Sequence, residues 1–456
     1  MWLIHTFLHC PVPEASVDDA NAAVAAAKAA FPAWSAMDPA KRAVPMKRLA
    51  ALLREHVSEL AHLEAKSMGK PVSHYFDALG AASHLEHYSE AWASIQGQSS
   101  LNTPGHVTVT FRQPYGVVAV IIPWNVPLLF FFSKSAPALI TGNTVVLKSS
   151  EKAPLTSARV AELIVEAGFP PGVFNILSGH GVPAGDVLAK HMDVRVLSFT
   201  GSSRTGKLLQ ENAAKTNLKK VVLELGGKSP ALVFADANLS NAVEQTQASI
   251  QSNSGQVCMA NSRIYVQKSI AEAFIEAFKT RFARVTIGDP TQSEVNHGPQ
   301  ADEIQYKNVT SYIEEGKKTG TLALGGQGLL ESKNGFFVEP TVFLDTPEDA
   351  RVMKEEIFGP VVLINTFETE EEAIRKANDT EYGLYASVFT KDISRAMRVA
   401  KALESGYVAI NCTSPTTAKD LPFGGYKGSG QGREGWLYSM DNYLETKSVM
   451  IKLDDQ

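Results

Sequence analysis

The most reactive side chain in the sequence is Cys258, within Asn253-Ser254-Gly255-Gln256-Val257-Cys258-Met259. A free cysteine between Val257 and Met259 commonly serves as a small buried hydrophobe. Gly255 permits close backbone approach, and the polar run before Val257 is unsuited to a core strand. The stretch therefore reads as a thiolate nucleophile at the head of a helix. Such a nucleophile needs a base, an oxyanion donor and an acceptor elsewhere in the chain.

Glu224 closes an otherwise apolar run just before Gly226 and Gly227. A carboxylate there is either paired with Lys228 or partly desolvated with a raised pKa, which suits general base work. Asn125 lies in Pro123-Trp124-Asn125-Val126-Pro127. Two prolines fix its backbone and its amide can stabilise a developing oxyanion, although a turn-forming Asn beside Pro is the ordinary alternative. Lys148 and Glu151 follow a strand-like run and suit a ribose: both can hydrogen-bond vicinal hydroxyls, and a carboxylate repels a 2′-phosphate. Two ordinary charges on an exposed loop are the competing reading. Phe199-Thr200-Gly201-Ser202-Ser203-Arg204-Thr205-Gly206-Lys207 leaves a strand and opens a helix, offering free N–H groups to a phosphate. Leu208 stands where a Walker A loop needs a Mg²⁺-binding hydroxyl, which excludes a nucleotide triphosphatase. This turn also lacks G-x-G-x-x-G, so an ordinary Rossmann fingerprint is missing from it.

Positioning these groups calls for a sizeable scaffold, and 456 residues imply two or three domains. Hydrophobic residues make up 44% and charged residues 20%, the balance of a globular chain. A net charge of −5 leaves no cation excess to hold nucleic acid or an anionic membrane. Three cysteines, Cys10, Cys258 and Cys412, fit free thiols in a reducing compartment, so a cytoplasmic location is expected. Met1–Leu8 lacks a positive n-region and is no signal peptide, and the apolar run Val117–Phe132 is broken by Pro123, Asn125 and Pro127.

Ser16 to Ala30 reads as a helix with Ser16 as N-cap and Asp19 three residues on, stopped near Pro32. Helical patterns follow over 41–68 and 73–94. His84 and His87 share a face of the second, but no third ligand is near, so no metal site is expected there. Val107–Phe111 alternates as an antiparallel ribbon. Val117–Ile122, Thr144–Leu147, Val173–Leu177, Val194–Phe199 and Val221–Leu225 are short apolar runs separated by crossover-length segments such as Ser157–Ala167. That rhythm predicts an α/β fold with a parallel sheet, whose ligands bind beyond the carboxyl ends of the strands. Leu225–Pro230 reads as a hinge. Beyond it, strands at 263–266, 361–364, 386–389 and 408–411 alternate with helices at 271–284, 370–377 and 393–403. The glycine-rich Phe423–Gly430 precedes a tail strand, Tyr443–Leu453, able to pair with the Val107–Phe111 ribbon of its own or a neighbouring chain.

Taken together, Pro123-Trp124-Asn125, the Lys148-to-Glu151 spacing, Phe199-Thr200-Gly201-Ser202, Glu224-Leu225-Gly226-Gly227-Lys228, Gly255-Gln256-Val257-Cys258, Glu355–Pro360, Asn378–Leu384 and Pro422-Phe423-Gly424-Gly425 form a recognisable set. With these eight stretches in order, the chain resembles the NAD(P)-dependent aldehyde dehydrogenase superfamily from about Ser16 to its end. The resemblance implies that Cys258 is the nucleophile, Asn125 with the Cys258 N–H the oxyanion hole, and Glu224 the base for deacylation. Lys148 stands with both the catalytic and the cofactor-binding candidates; with Glu151 it would hold the adenosine ribose and favour NAD over NADP. Pro123, Trp124, Leu225 and Gly226 would line the cofactor, Gly201 and Ser202 would approach its pyrophosphate, and Glu356 and Phe358 its nicotinamide end.

The implied fold has a Rossmann-like coenzyme domain (1–97 and 116–226), a catalytic domain (227–430) and a small β bridging element (98–115 and 431–456) that makes a homodimer or homotetramer. Two departures stand out. The usual N-terminal strands of the family are expected to be shortened or replaced by Met1–Val12. Val126, Ser133, Ser252 and Thr417 occupy substrate-pocket positions that are bulky aromatics in many members, beside Val257 and Phe423, which implies a wide, polar entrance for bulky or aromatic aldehydes. A CoA-acylating enzyme is the nearest alternative, against which Glu224 argues, and a non-catalytic protein reusing the fold is the other.

Overall fold

The computed structural model describes residues 12–418 and 420–454, so the readings on Met1–Leu8 and Cys10 lie outside the described residues. The first helix, Val17–Ala36, begins as the sequence predicts, with a reciprocal Ser16–Asp19 capping box. It does not stop at Pro32. Trp34, buried, donates its indole N–H to the Leu139 carbonyl at 3.2 Å, and that anchor holds the final turn beyond the proline. The pattern over 41–68 resolves into two helices, Pro39–Glu55 and Val57–Met68, broken at His56. The pattern over 73–94 is the helix Asp77–Ala91 between two short 3₁₀ turns. His84 and His87 are half-buried rather than exposed: His84 stacks on Tyr88, and His87 meets the edge of Tyr88 and the ring of Trp436.

Strands β1 (Ser99–Ser100) and β2 (His106–Pro114) lead into β3 (Val117–Ile121), β4 (Thr144–Lys148), β5 (Phe174–Leu177), β6 (Val194–Thr200) and β7 (Lys220–Glu224). All five apolar runs form strands of one sheet, in the order β7-β6-β3-β4-β5, and every pairing among them is parallel. The strand ends are in register. Ile121 lies opposite both Lys148 and Phe199, and Thr200 lies opposite Glu224. The residues after β3, β4, β6 and β7 therefore emerge along one edge of the sheet, where a doubly wound sheet binds its ligands.

Residues 225–229 carry no regular structure and lead from β7 of the first sheet into β8 (Pro230–Val233) of the second, fully buried with Pro230 at its first position, where a missing N–H is tolerated. Further strands are β9 (Arg263–Gln267), β10 (Thr321–Leu324), β11 (Thr341–Leu344), β12 (Val361–Phe367), β13 (Tyr382–Gly383), β14 (Tyr385–Phe389) and β15 (Tyr407–Ile410). The second sheet runs β10-β11-β12-β9-β8-β14-β15, parallel except for β10. Its helices Leu239–Gln251 and Glu303–Thr319, together with β10 and β11, had no expected counterpart.

The chain then forms β16 (Tyr426–Lys427), β17 (Gly430–Gln431) and β18 (Leu444–Lys452). β16 pairs with β13, and β17 returns to the first sheet, antiparallel to β7. β18 pairs with β2 of its own chain over nine residues, from Leu444 opposite Pro114 to Lys452 opposite His106. Among the described residues no helix is long and apolar enough to cross a membrane, and no group of three metal-ligating side chains could hold an ion.

Candidate active site

Cys258 does not head a helix. It sits in a turn after the C-terminus of the helix Leu239–Gln251 and the single 3₁₀ turn Ser252–Gly255. No helix N-terminus is therefore present to lower its pKa. Burial pushes the half-buried thiol well above its ordinary value, and the nearby Glu224 and Glu356 carboxylates push it further. Asn253, Ser254 and Gly255 all have left-handed backbone, with φ of 48°, 54° and 75°. Each such non-glycine residue costs about 1–3 kcal/mol and persists only where its surroundings enforce it. Gly255 could be no other residue: a Cβ there would fall 2.0 Å from the Gly359 carbonyl oxygen.

Asn125 leaves β3 after Pro123, and Pro127 is the first residue of the helix Pro127–Ile140. Its buried amide donates to the Gln256 carbonyl at 3.0 Å, and its own carbonyl accepts the Asn253 amide at 3.0 Å. The Asn125 side chain is thus laced to the loop that carries Cys258, with a second N–H still to give. Trp124 meets the Phe358 ring edge-on at 5.4 Å, and Lys152, ion-paired with Asp302 at 2.7 Å, lies over its face.

Glu224 is not paired with Lys228. It is desolvated at the end of β7, where burial pushes its pKa up to about 7 despite the pull of Lys134. The Lys134 ammonium is 3.7 Å from Glu224 and hydrogen-bonds the Glu434 carboxylate, whose charge raises Glu224 in turn; the Thr200 hydroxyl donates to Glu224 at 3.3 Å. Lys134 and Glu434 have no counterpart in the sequence reading. A single lysine inside Pro127-Leu128-Leu129-Phe130-Phe131-Phe132-Ser133-Lys134 was a visible signal, since a buried cation needs a carboxylate. Glu434, between Arg433 and Gly435, offered none. Lys228 is buried on the other side of the site, where burial first and the Arg263 charge second push its ammonium down to about 7.

The cofactor candidates lie along the shared strand edge. Lys148 is buried at the end of β4 and donates to the carbonyls of Ser149 and Gly179, at 2.8 and 2.6 Å; Glu151, three residues on, is exposed. Ser202 caps the helix Ser203–Ala214 by accepting the Thr205 N–H, and the turn at Gly201 and Ser202 is open to solvent. Leu225 is buried against Gly206, and its N–H donates to the Ser429 carbonyl. Gly226 is closed over by Glu356: a Cβ would fall 2.3 Å from the carboxylate. Glu356 accepts the Gly227 N–H at 2.9 Å, and burial pushes its pKa up to about 7. Phe358 follows with φ 61°, a strained value for an aromatic residue. Helix N–H donors near the exposed Ser202, a surface carboxylate beside a lysine and a half-buried carboxylate acceptor at Glu356 form a polar set that fits an extended dinucleotide. The sequence does spell G-x-G-x-x-G at Gly430–Gly435, but its first two residues pair antiparallel to β7 and do not form a strand-to-helix turn.

The pocket candidates fall into groups. Val126 precedes the helix Pro127–Ile140 and Ser133 lies within it, its hydroxyl buried without a partner. Thr417 is exposed on a loop held by Tyr385, which donates to the Thr416 carbonyl, and by Tyr407, which accepts the Ala418 N–H. The Phe423 ring is 5.9 Å from Tyr407, and its backbone exchanges two 2.7 Å hydrogen bonds with Glu434, the partner of Lys134. This brings Phe423 beside the Ser133 helix. Ser252 caps the helix before Cys258, and Val257 is buried in the core of the second sheet's layer, where it lines a recess with Phe358.

Two largely parallel sheets, with the Asn125 amide after β3 of the first bonded to the turn that carries Cys258, define an α/β architecture. The model of the aldehyde dehydrogenase family matches residues 7–449, and the chain belongs to that family. It is an oxidoreductase acting on the aldehyde group. Aldehyde dehydrogenase 1A1 of Bos taurus is 44% identical over 98% of this chain and 90% of its own length. Retinal dehydrogenase 2 of Mus musculus is 44% identical over 97% of this chain and 86% of its own. The solved structure of P. syringae AldA, an indole-3-acetaldehyde dehydrogenase in complex with NAD+ and IAA, superposes with a TM-score of 0.95 at 43% identity, covering 97% of this chain and 90% of that one.

Proposed function

We propose that this enzyme oxidises an aldehyde to its carboxylic acid through a covalent intermediate on Cys258, with NAD as electron acceptor. The observation that carries the reading is the convergence of Asn125 and Glu224 on the Cys258 turn. Asn125 is bonded to the carbonyl two residues before the cysteine, and the charge of Glu224 acts on its thiol. As the sulfur attacks the carbonyl carbon its proton passes to solvent water, and the carbonyl C–O π pair becomes the oxyanion of a thiohemiacetal. The free Asn125 N–H and the Cys258 backbone N–H then stabilise the oxyanion. NAD, when bound, supplies a two-electron acceptor for the hydride that leaves this carbon. Glu224 deprotonates the water that hydrolyses the resulting Cys258 thioester, and with a pKa of about 7 it is half ionised near neutrality.

Lys148 and Glu151 hold the adenosine ribose, Gly201 and Ser202 the pyrophosphate, and Pro123, Trp124, Leu225, Gly226, Glu356 and Phe358 the remainder of the cofactor. Glu151 favours NAD over NADP by charge repulsion of a 2′-phosphate. Residues 1–97 and 116–226 serve as the coenzyme domain and 227–430 as the catalytic domain. The ribbon 98–115 with the tail 431–456 presents the outer edge of β18 to a second copy, as a dimer or tetramer. Cys258 and Cys412 are free, in keeping with a reducing cytoplasm. The small side chains Val126, Ser133, Ser252 and Thr417 widen the entrance beside Val257 and Phe423, and the retinal and indole-3-acetaldehyde relatives support a bulky substrate.

NADH formation over a panel of aldehydes, run with NAD and with NADP, tests the reading. Bulky or oxygenated aromatic aldehydes should exceed acetaldehyde in kcat/KM, with NAD preferred. The reverse ranking overturns the pocket assignment, and turnover strictly dependent on CoA overturns the hydrolytic one.

A further inference from the structure

Gln256 uses every polar atom it has, and none of them on a ligand. It is buried, at 1% exposure, two residues before Cys258. Its side-chain oxygen accepts the Ala301 N–H at 2.9 Å; its side-chain nitrogen donates to the carbonyls of Asn253 at 3.1 Å and Pro299 at 3.3 Å. Its backbone N–H donates to the Asn253 carbonyl, and its backbone carbonyl accepts the Asn125 and Asn253 amides. One residue therefore joins the strained turn 253–255, the Asn125 amide and a distant strap, residues 297–301.

That strap is itself fixed. The Gln300 N–H donates to the Phe336 carbonyl at 2.8 Å, and the His297 ring meets the Val338 carbonyl at 3.0 Å. Gly298 approaches the Gly69 carbonyl so closely that a Cβ would lie 2.0 Å away, and its own carbonyl accepts the Ser254 hydroxyl at 2.8 Å. The Val72 N–H donates to the Pro290 carbonyl. The strap is thus pinned both to its own domain and to the turn that follows the helix Val57–Met68.

We infer that Gln256 is a positioning residue for the oxyanion hole: its amide locks the cysteine turn to the 297–301 strap, and its carbonyl then sets where the Asn125 amide points. The inference rests on the reading of Asn125 as oxyanion donor. A left-handed turn of non-glycine residues relaxes when its ties are cut. The carbonyl of residue 256 then rotates, carrying the Asn125 N–H away from the Cys258 N–H. A displacement of an ångström at such a site can cost on the order of a hundredfold in rate.

Gln256→Met keeps the volume and removes the side-chain hydrogen bonds. The readouts are kcat/KM for one good aldehyde, the rate of Cys258 alkylation by iodoacetamide, which needs no oxyanion donor, and the Kd of NAD by tryptophan quenching. Gln256→Met should lower kcat/KM by about 10- to 100-fold, the scale of a misplaced catalytic group. Alkylation and NAD binding should stay within about threefold, below the change expected from lost oxyanion stabilisation. In an Asn125→Ala background the same substitution should cost less than about threefold, because residues acting as one unit are not additive.

An unimpaired Gln256→Met enzyme overturns the inference. So does a loss repeated in full in the Asn125→Ala background, or an alkylation rate that falls in step with turnover. Where Gln256→Met does not fold, Gln256→Glu, which keeps the acceptor for Ala301, carries the same measurements. An Asn125→Ala enzyme with normal kcat/KM defeats the underlying reading instead, whatever Gln256 does.

Discussion

Two turns of similar length, at 199–205 and 253–258, are built on opposite plans. The turn at 199–205 leaves a strand and caps a helix with one serine; the Gly201 N–H donates to the Glu224 carbonyl and the Thr205 N–H to the Ser202 hydroxyl, while Ser202 itself is exposed. The turn at 253–258 is left-handed over three residues, buried, and tied by side-chain hydrogen bonds to 125, 298, 299 and 301. In the proposed function the first admits a cofactor and releases it, and an exposed helix start suits that task. In the proposed function the second holds a nucleophile and an oxyanion donor in one geometry through every turnover, which accounts for the strain and for the dense side-chain bonding.

This contrast is breakable by substitution. The largest effect belongs to Cys258→Ala, which should remove turnover by about 10⁴-fold or more, as loss of a covalent nucleophile does, with NAD binding kept. Undiminished NADH formation would falsify the assignment of the nucleophile. Next, Asn125→Ala should lower kcat/KM by about 10²–10³, the scale of one oxyanion donor; a change confined to KM would move Asn125 from the chemistry to substrate binding. Third, Glu434→Gln tests the buried charges behind the turn. The Glu434 charge raises Glu224, so neutralising it lets Glu224 ionise at lower pH. The acid limb of kcat, expected near pH 7 from Glu224, should then move down, and a limb that moves up contradicts the charge arrangement. The smallest effect is on the open turn. Ser202→Ala removes a helix cap and should cost about 1 kcal/mol of stability, measured by denaturant titration, while kcat with saturating NAD barely changes. A collapse of kcat there would erase the contrast.

The sequence made the strands of the first sheet legible because each is a short apolar run followed by a group that cannot belong to a core. Glu224 and Lys148 mark where two strands stop, and the register then aligns them. It misplaced Cys258 at a helix head, since Gly255 and the polar run before Val257 belong to a left-handed turn after a helix end. Backbone handedness at Asn253 and Ser254 is imposed by contacts with residues far away in the chain, and no local propensity announces it. The same holds for Lys134 and Glu434, 300 residues apart, whose pairing is a product of the closed fold. Pro32 misled for a related reason: the local rule ends a helix there, and a tertiary anchor at Trp34 overrides it.

The paired backbone hydrogen bonds between Phe423 and Glu434 carry a practical consequence for redesign. In the proposed function Phe423 borders the substrate entrance, and the Glu434 charge raises the pKa of Glu224, the proposed base. A loop graft intended to change which aldehyde is accepted will therefore also displace the carboxylate behind Lys134. Selectivity and operating pH are inherited together in this scaffold, and libraries built on residues 413–423 should be screened at several pH values rather than one.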